Sequence, residues 1–178
     1  GRVTVDELIV KFCPDTLLLQ EHWLTPANLN RFDEFTDYFT FGCSAMSKVV
    51  ESGMLTRRPF GGVMAVIRND LMKICETLHC DERYCVFRIA NLFIANIYLP
   101  CVGTADRLSI YKEVFSEILA WRDRFPLCEC IIGGDFNVCL DSDNLFSDFV
   151  NNICSEYHLT RCDIIFNQQS CATYVNEA

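Results

Sequence analysis

Two short apolar runs end close to polar side chains, and this pattern limits the folds open to the chain. The run at 16–20 is followed directly by Glu21, and the run at 128–132 leads through two glycines to Asp135 and Asn137. Runs this short favour strands over helices, and the first resembles a strand buried on both faces. Functional groups gather at the carboxyl ends of strands in open α/β sheets. The sequence therefore predicts an α/β fold with its chemistry at strand ends.

The rest of the chain alternates between strand-like and helix-like patterns. Further strands are predicted at 63–67, 73–79, 84–89 and 92–98, and the last three read as antiparallel neighbours joined by tight turns. Helical spacing of apolar residues occurs at 3–12, 104–124 and 143–157, and short strands are predicted at 163–166 and 172–175. With no repeat or linker between them, these elements predict one domain of layered sheets and helices over residues 1–178.

Composition limits the cellular setting more than the fold. Of the 178 residues, 51% are hydrophobic, yet polar residues interrupt every apolar run, so no membrane association is expected. Many of the twelve cysteines lie inside apolar stretches, where a reduced thiol acts as a small hydrophobe. We therefore predict a reduced intracellular protein, nuclear or cytoplasmic, that is not secreted. A disulfide-rich secreted domain is the alternative, and a free-thiol titration would decide between the two.

The polar residues at the strand ends suit chemistry on a phosphate group. Glu21 can ligate a hard cation such as Mg²⁺, which prefers carboxylates, phosphate oxygens and water. Asp135 can orient or deprotonate a water, and Asn137 can donate a hydrogen bond to a phosphate oxygen. Each residue alone has an ordinary explanation, because Asp and Asn favour turns and a Glu at a strand end is commonly solvated. The formal net charge of −9 also opposes a broad grip on nucleic acid.

Four segments, taken together, resemble the endonuclease/exonuclease/phosphatase superfamily. Residues 14–21 resemble its first metal motif, a strand ending in Gln-Glu, and residues 61–66 resemble its second strand segment. Residues 96–100 resemble its Asn-x-Tyr-x-Pro motif, and residues 131–137 resemble its Gly-Asp-x-Asn signature. The resemblance implies a DNase I-like fold, in which mixed β-sheets form a layered α/β sandwich flanked by helices.

The resemblance also implies a role for each strand-end residue. Glu21 would ligate the divalent metal, Mg²⁺ with Mn²⁺ as a substitute, and Tyr98 would contact or polarise the scissile phosphate. Asp135 would orient or deprotonate the attacking water, and Asn137 would support both Asp135 and the phosphate. The implied reaction is hydrolysis of a phosphodiester, with DNA as the substrate and a 3′-hydroxyl left at the nick.

Shorter segments point to one branch of the superfamily. Residues 58–62 and 172–176 resemble the endonuclease domains of non-LTR retrotransposons, which precede a reverse transcriptase. A reverse transcriptase downstream in a longer parent protein is therefore the expected partner. Arg57 and Arg58 fall in a predicted loop and are either phosphate contacts or solvated charges.

The sequence departs from the superfamily pattern at both ends. The first strand, with its metal-site Asn, and the C-terminal Ser-Asp-His segment are both missing, so we expect an incomplete domain with weak or no catalysis. A non-catalytic relic or interaction domain with the same fold is one alternative. A phosphoesterase acting on nucleotides or phosphoinositides is another.

Overall fold

In the computed structural model, which describes residues 4–32, 36–51, 53 and 60–166, seven strands form two sheets. The first sheet contains β1 (Thr16–Gln20), β2 (Tyr38–Cys43) and β3 (Val63–Arg68), ordered β1-β3-β2 with antiparallel neighbours. The second contains β4 (Cys75–Cys80), β5 (Tyr84–Ile89), β6 (Leu92–Tyr98) and β7 (Glu129–Asp135), in that order. Within it, β4, β5 and β6 are antiparallel, whereas β6 and β7 run parallel.

Helices occupy the connections and the outer face of the second sheet. They are α1 (Val5–Phe12), α2 (Ser47–Glu51), α3 (Arg107–Arg122), α4 (Leu145–Glu156) and α5 (Cys162–Phe166). Two 3₁₀ segments cover Pro26–Phe32 and Asn69–Ile74. In the part of the chain that the structure describes, no helix combines the length and apolar character needed to cross a membrane.

The two sheets pack face to face through apolar side chains. Val63, Ala65 and Ile67 of β3 are fully buried against Phe87 of β5 and Ile94 of β6. β3 is buried because it is the central strand of its sheet, and its aliphatic run fits that position. This layer brings the ends of β1 and β3 close to the ends of β6 and β7.

A second apolar layer joins the opposite face of the second sheet to the helices. Alternate residues of β5 and β6 point into it, because successive strand side chains face opposite sides. Five side chains of α3 recur at helical spacing on the facing side, namely Tyr111, Val114, Phe115, Ile118 and Leu119. We call this layer the helix-backed core. α3 connects β6 to β7 and so allows these two strands to run parallel.

The predicted fold class is confirmed, and most predicted elements are present with small boundary shifts. The strand predicted at 163–166 is wrong, because these residues belong to α5. Asp163 lies in the first turn of that helix, where a carboxylate is favourable, and so short an apolar run cannot separate strand from helix. The strand predicted at 172–175 lies outside the described residues.

The strand at 16–20 is present, but its predicted burial on both faces is wrong. Every residue of β1 is only partly buried, because β1 pairs with β3 alone among the described strands. β2 was not predicted, although Phe39 and Phe41 alternate towards the layer between the sheets. The alternation is short, and Gly42 weakens it because glycine is depleted in strands.

Candidate active site

Glu21 and Tyr98 meet at the ends of β1 and β6, although 77 positions separate them in the sequence. The Tyr98 hydroxyl donates a hydrogen bond to Glu21 Oε1 at 2.5 Å. Burial and this hydrogen bond raise the pKa of Tyr98, so the phenol stays protonated and remains a donor near neutral pH. The Glu21 residue is exposed, which leaves its carboxylate accessible to a cation.

Asp135 and Asn137 form a second polar pair at the end of β7. The Asn137 backbone N–H donates to Asp135 Oδ1 at 2.9 Å, and the Asn137 side-chain amide donates to Asp135 Oδ2 at 3.1 Å. The same amide donates to the Leu99 carbonyl at 2.8 Å. Both carboxylate oxygens of Asp135 are therefore oriented by one residue, which is in turn tied to the segment after β6.

Strand pairing joins the two polar pairs into one site. Tyr98 and Asp135 are register partners on the parallel strands β6 and β7, so their side chains project from the same face of the sheet. The Leu99 N–H donates to the Asp135 carbonyl at 2.9 Å and continues this pairing past the strand end. We call Glu21, Tyr98, Asp135 and Asn137 the strand-end rim.

Close backbone approach beside the rim depends on glycine. Gly134 has φ +133°, and a Cβ there would collide with the Ile97 carbonyl oxygen. The side-chain-free position lets β7 approach β6 directly before Asp135. Glu21 and Asn137 also have left-handed backbone, with φ of 52° and 50°. Such conformations in non-glycine residues are strained and cluster at functional sites.

His22 supports the backbone around Glu21 and is not free for catalysis. Its Nδ1 accepts a hydrogen bond from the Leu24 N–H at 3.1 Å, so its Nε2 carries the proton and donates to the Cys43 carbonyl at 3.0 Å. Burial lowers the pKa of His22 and favours this neutral form. His22 is therefore a structural histidine with both ring nitrogens hydrogen-bonded.

A buried amide network near the rim was missed by the sequence analysis. Asn96 is fully buried between the sheets, and its side-chain amide donates to the carbonyls of Leu19 and Met64, each at 3.0 Å. The Gln20 amide donates to Asn96 Oδ1 at 2.5 Å. The network ties β1 and β3 to β6 close to Glu21 and Tyr98. An Asn within an apolar strand is unusual and is the signal that could have revealed it.

A cationic side chain also lies next to the rim. The Arg83 guanidinium is centred 5.7 Å from the Tyr98 ring, and the Arg83 carbonyl accepts the Tyr98 N–H at 2.7 Å. Arg83 therefore places positive charge beside Tyr98, although no sequence pattern had marked it. Arg57 and Arg58, the predicted phosphate contacts, lie outside the described residues.

One carboxylate of the rim is available to a cation. No cluster of three His, Cys, Asp or Glu side chains able to hold a metal ion occurs within the described ranges. Mg²⁺ is commonly bound by one or two carboxylates, with water and substrate phosphate completing its coordination. Glu21 fits that role, because Tyr98 engages its Oε1 and the other carboxylate oxygen is left for a cation. The donor set is therefore compatible with the expected Mg²⁺.

The fold is that of the DNase I-like proteins. The human Nocturnin catalytic domain with bound sulfate matches with a TM-score of 0.62 and 14% identity, over 96% of this chain and 68% of that one. TDP2 from D. rerio, complexed with a single-strand DNA product, matches with a TM-score of 0.51 and 16% identity. That match covers 83% of this chain and 56% of that one. No protein-family model and no curated protein matches the sequence.

Proposed function

We propose that the strand-end rim is the active site of a metal-dependent phosphodiesterase that nicks DNA. One observation carries the proposal. The hydrogen-bonded pair Glu21–Tyr98 and the hydrogen-bonded pair Asp135–Asn137 lie on neighbouring strand ends, joined by the register of β6 and β7.

Each residue of the rim has a part in the proposed reaction. Asp135, held by Asn137, accepts the proton of the water that attacks phosphorus. The bond from phosphorus to the 3′ oxygen breaks, that oxygen takes a proton from solvent to leave as a 3′-hydroxyl, and Asp135 returns its proton to solvent. With substrate bound, the Tyr98 hydroxyl would turn its single donor proton from Glu21 Oε1 to a phosphate oxygen, and its raised pKa keeps that proton in place. A Mg²⁺ ion on Glu21 would neutralise charge that develops on the phosphate.

The ligands named for two structures of the same fold support the choice of substrate. The Nocturnin structure holds a sulfate anion, and the D. rerio TDP2 structure holds a single-strand DNA product. We therefore propose DNA as the substrate, with Arg83 supplying local positive charge. The resemblance of residues 58–62 and 172–176 extends the proposal to a retrotransposon-type endonuclease with a downstream reverse transcriptase as its partner.

Two other functions are compatible with the same fold, and each predicts a different result in hydrolysis assays. A phosphoesterase for nucleotides or phosphoinositides fits the net charge of −9, because a small substrate requires no extended basic surface. It would hydrolyse such substrates in an Asp135-dependent way without nicking plasmid. A non-catalytic interaction domain would hydrolyse neither kind of substrate.

The test is nicking of supercoiled plasmid with excess protein, so that a slow reaction is detected. We expect nicking that requires Mg²⁺ and is lost in Asp135→Ala, because removing a catalytic proton acceptor lowers the rate by a factor of roughly 10² to 10⁴. Asp141→Ala is the matched control, since Asp141 lies beyond the rim and pairs with Arg161 at 2.7 Å. Nicking that survives Asp135→Ala, or no Asp135-dependent nicking by folded protein, would overturn the proposal.

A further inference from the structure

Arg107, the first residue of α3, binds the two chain segments that follow β6 and β7. Its Nε donates to the Pro100 carbonyl at 2.9 Å, and its Nη2 donates to the Asn137 carbonyl at 2.6 Å. Pro100 lies two residues beyond Tyr98, and Asn137 belongs to the rim itself. One planar guanidinium can satisfy two such acceptors, because its donors form a rigid fork.

We propose that Arg107 is a positioning residue that fixes Asn137 and, through it, the carboxylate of Asp135. This inference rests on the proposed function and adds to it a residue that contacts neither substrate nor metal. Asn137 determines the orientation of Asp135 through two hydrogen bonds, so any group that holds the Asn137 backbone acts on Asp135. Asn137 also has left-handed backbone, which the surrounding contacts must stabilise.

Neighbouring aromatic residues hold Arg107 and extend its effect. The Tyr111 hydroxyl donates to the Phe136 carbonyl at 2.5 Å, and Arg107 Nη2 lies 3.1 Å from the same hydroxyl. The guanidinium carbon lies 4.0 Å from the centre of the Phe146 ring, a distance typical of cation–π stacking. The first two turns of α3 therefore hold the carbonyls of two consecutive residues, Phe136 and Asn137.

The first residues of α3 depart from the usual charge and capping preferences of a helix N-terminus. A cation at a helix N-terminus is unfavourable, because the helix dipole is positive there. The N-cap residue Asp106 has φ +53° and makes no capping hydrogen bond through its side chain. By contrast, α4 begins with Asn144 and Ser147 in a complete capping box. Departures from local preference of this kind occur at functional sites in folded proteins.

The experiment compares Arg107→Gln with Arg88→Gln in the full chain. Arg88 is a matched control, because it also donates to a backbone carbonyl, that of Ala90, and lies 5.4 Å from the Phe125 ring. Its register partner Phe93 lies at the end of β6 away from Tyr98. Arg107→Lys is the second variant, since a single ammonium restores the charge and a donor without the fork.

The first readout is hydrogen exchange of the Asn137 amide and requires no activity. In Arg107→Gln we expect this amide to exchange about tenfold faster, because Asn137 loses the charged hydrogen bond to its carbonyl, which lies in the peptide group next to its amide. Exchange of the Phe115 amide, deep in α3, should be unchanged. Arg88→Gln should leave the Asn137 amide as in the wild type, and Arg107→Lys should be intermediate.

The second readout is the single-turnover nicking rate and its dependence on DNA concentration. A shift of the Asp135 carboxylate should slow the maximal rate by about 10²-fold in Arg107→Gln, with little change in the DNA concentration giving half-maximal rate. Unchanged Asn137 exchange in Arg107→Gln would overturn the positioning role, whatever the rate. A different outcome is also possible: Asn137 exchange is faster in Arg107→Gln, but the wild type shows no Asp135-dependent nicking. That result would support the positioning role of Arg107 and overturn only the proposed function.

Discussion

The helix-backed core and the strand-end rim are built from opposite kinds of interaction. In the core, Phe115 is 2% exposed and packs edge-on against Phe149, with ring centres 5.7 Å apart. In the rim, polar groups hold one another through hydrogen bonds, and two residues have strained backbone. Core packing is non-directional and sets stability, whereas rim geometry depends on a few directional contacts. Stability and activity should therefore respond to different substitutions.

The largest expected effect on stability is in the helix-backed core. Phe115→Ala should reduce the free energy of unfolding by about 3–5 kcal/mol, because it leaves a cavity between α3 and α4. The nicking rate of the folded fraction should not change. Urea unfolding and nicking below the transition measure the two quantities. Phe12→Ala is the control, since Phe12 is 61% exposed, and its effect should stay within about 0.5 kcal/mol. A large loss of activity in folded Phe115→Ala would contradict the separation of the two regions.

An intermediate effect is expected at Asn96, which is buried between the two sheets close to the rim. Asn96→Ala leaves the carbonyls of Leu19 and Met64 and the amide of Gln20 without their partner, so unfolding should become easier by about 1–3 kcal/mol. The nicking rate should also fall, by about tenfold, because Glu21 and Tyr98 lose their common support. Asn91→Ala, in the exposed turn between β5 and β6, is the control. Loss of stability without loss of activity would show that the network does not position the rim.

The smallest expected effect is the pH dependence of stability at His22. Its pKa is lowered by burial in the folded state, so the unfolded chain takes up a proton more readily. Stability from this group is complete above the unfolded pKa of about 6.5 and is lost as the pH falls below it. Urea midpoints between pH 7 and pH 5 should fall less steeply in His22→Gln than in the wild type. If the urea midpoints of the two proteins fell equally steeply with pH, His22 would not be held neutral by its two hydrogen bonds.

The sequence allowed the core to be predicted better than the rim, for physical reasons. The periodicity of Tyr111, Val114, Phe115 and Ile118 indicated the buried face of α3, because a helix repeats its environment every three or four residues. The contact between Tyr98 and Glu21 depends on how two sheets pack, and no local pattern encodes it. Only the resemblance of their flanking segments to a known superfamily placed both residues in one site.

Supporting contacts were the hardest to predict. Asn96 was part of the Asn-x-Tyr-x-Pro motif but had no predicted role, and Arg107 was one residue of the helix predicted at 104–124. Both act through backbone carbonyls, and a carbonyl acceptor carries no sequence signal because every residue has one. The carbonyls of Leu19 and Asn137 are recognisable as partners only in the folded chain.

The most direct test of a single active site is a double-mutant cycle between Glu21 and Asp135. Nicking rates would be compared for the wild type, Glu21→Gln, Asp135→Asn and the double variant, all checked for unchanged unfolding midpoints. If the two carboxylates serve one catalytic unit, the double variant should be about as slow as the slower single variant, because residues acting as a unit are non-additive. Rate losses that multiply fully, or a single variant with the wild-type rate, would contradict a shared site at the strand-end rim.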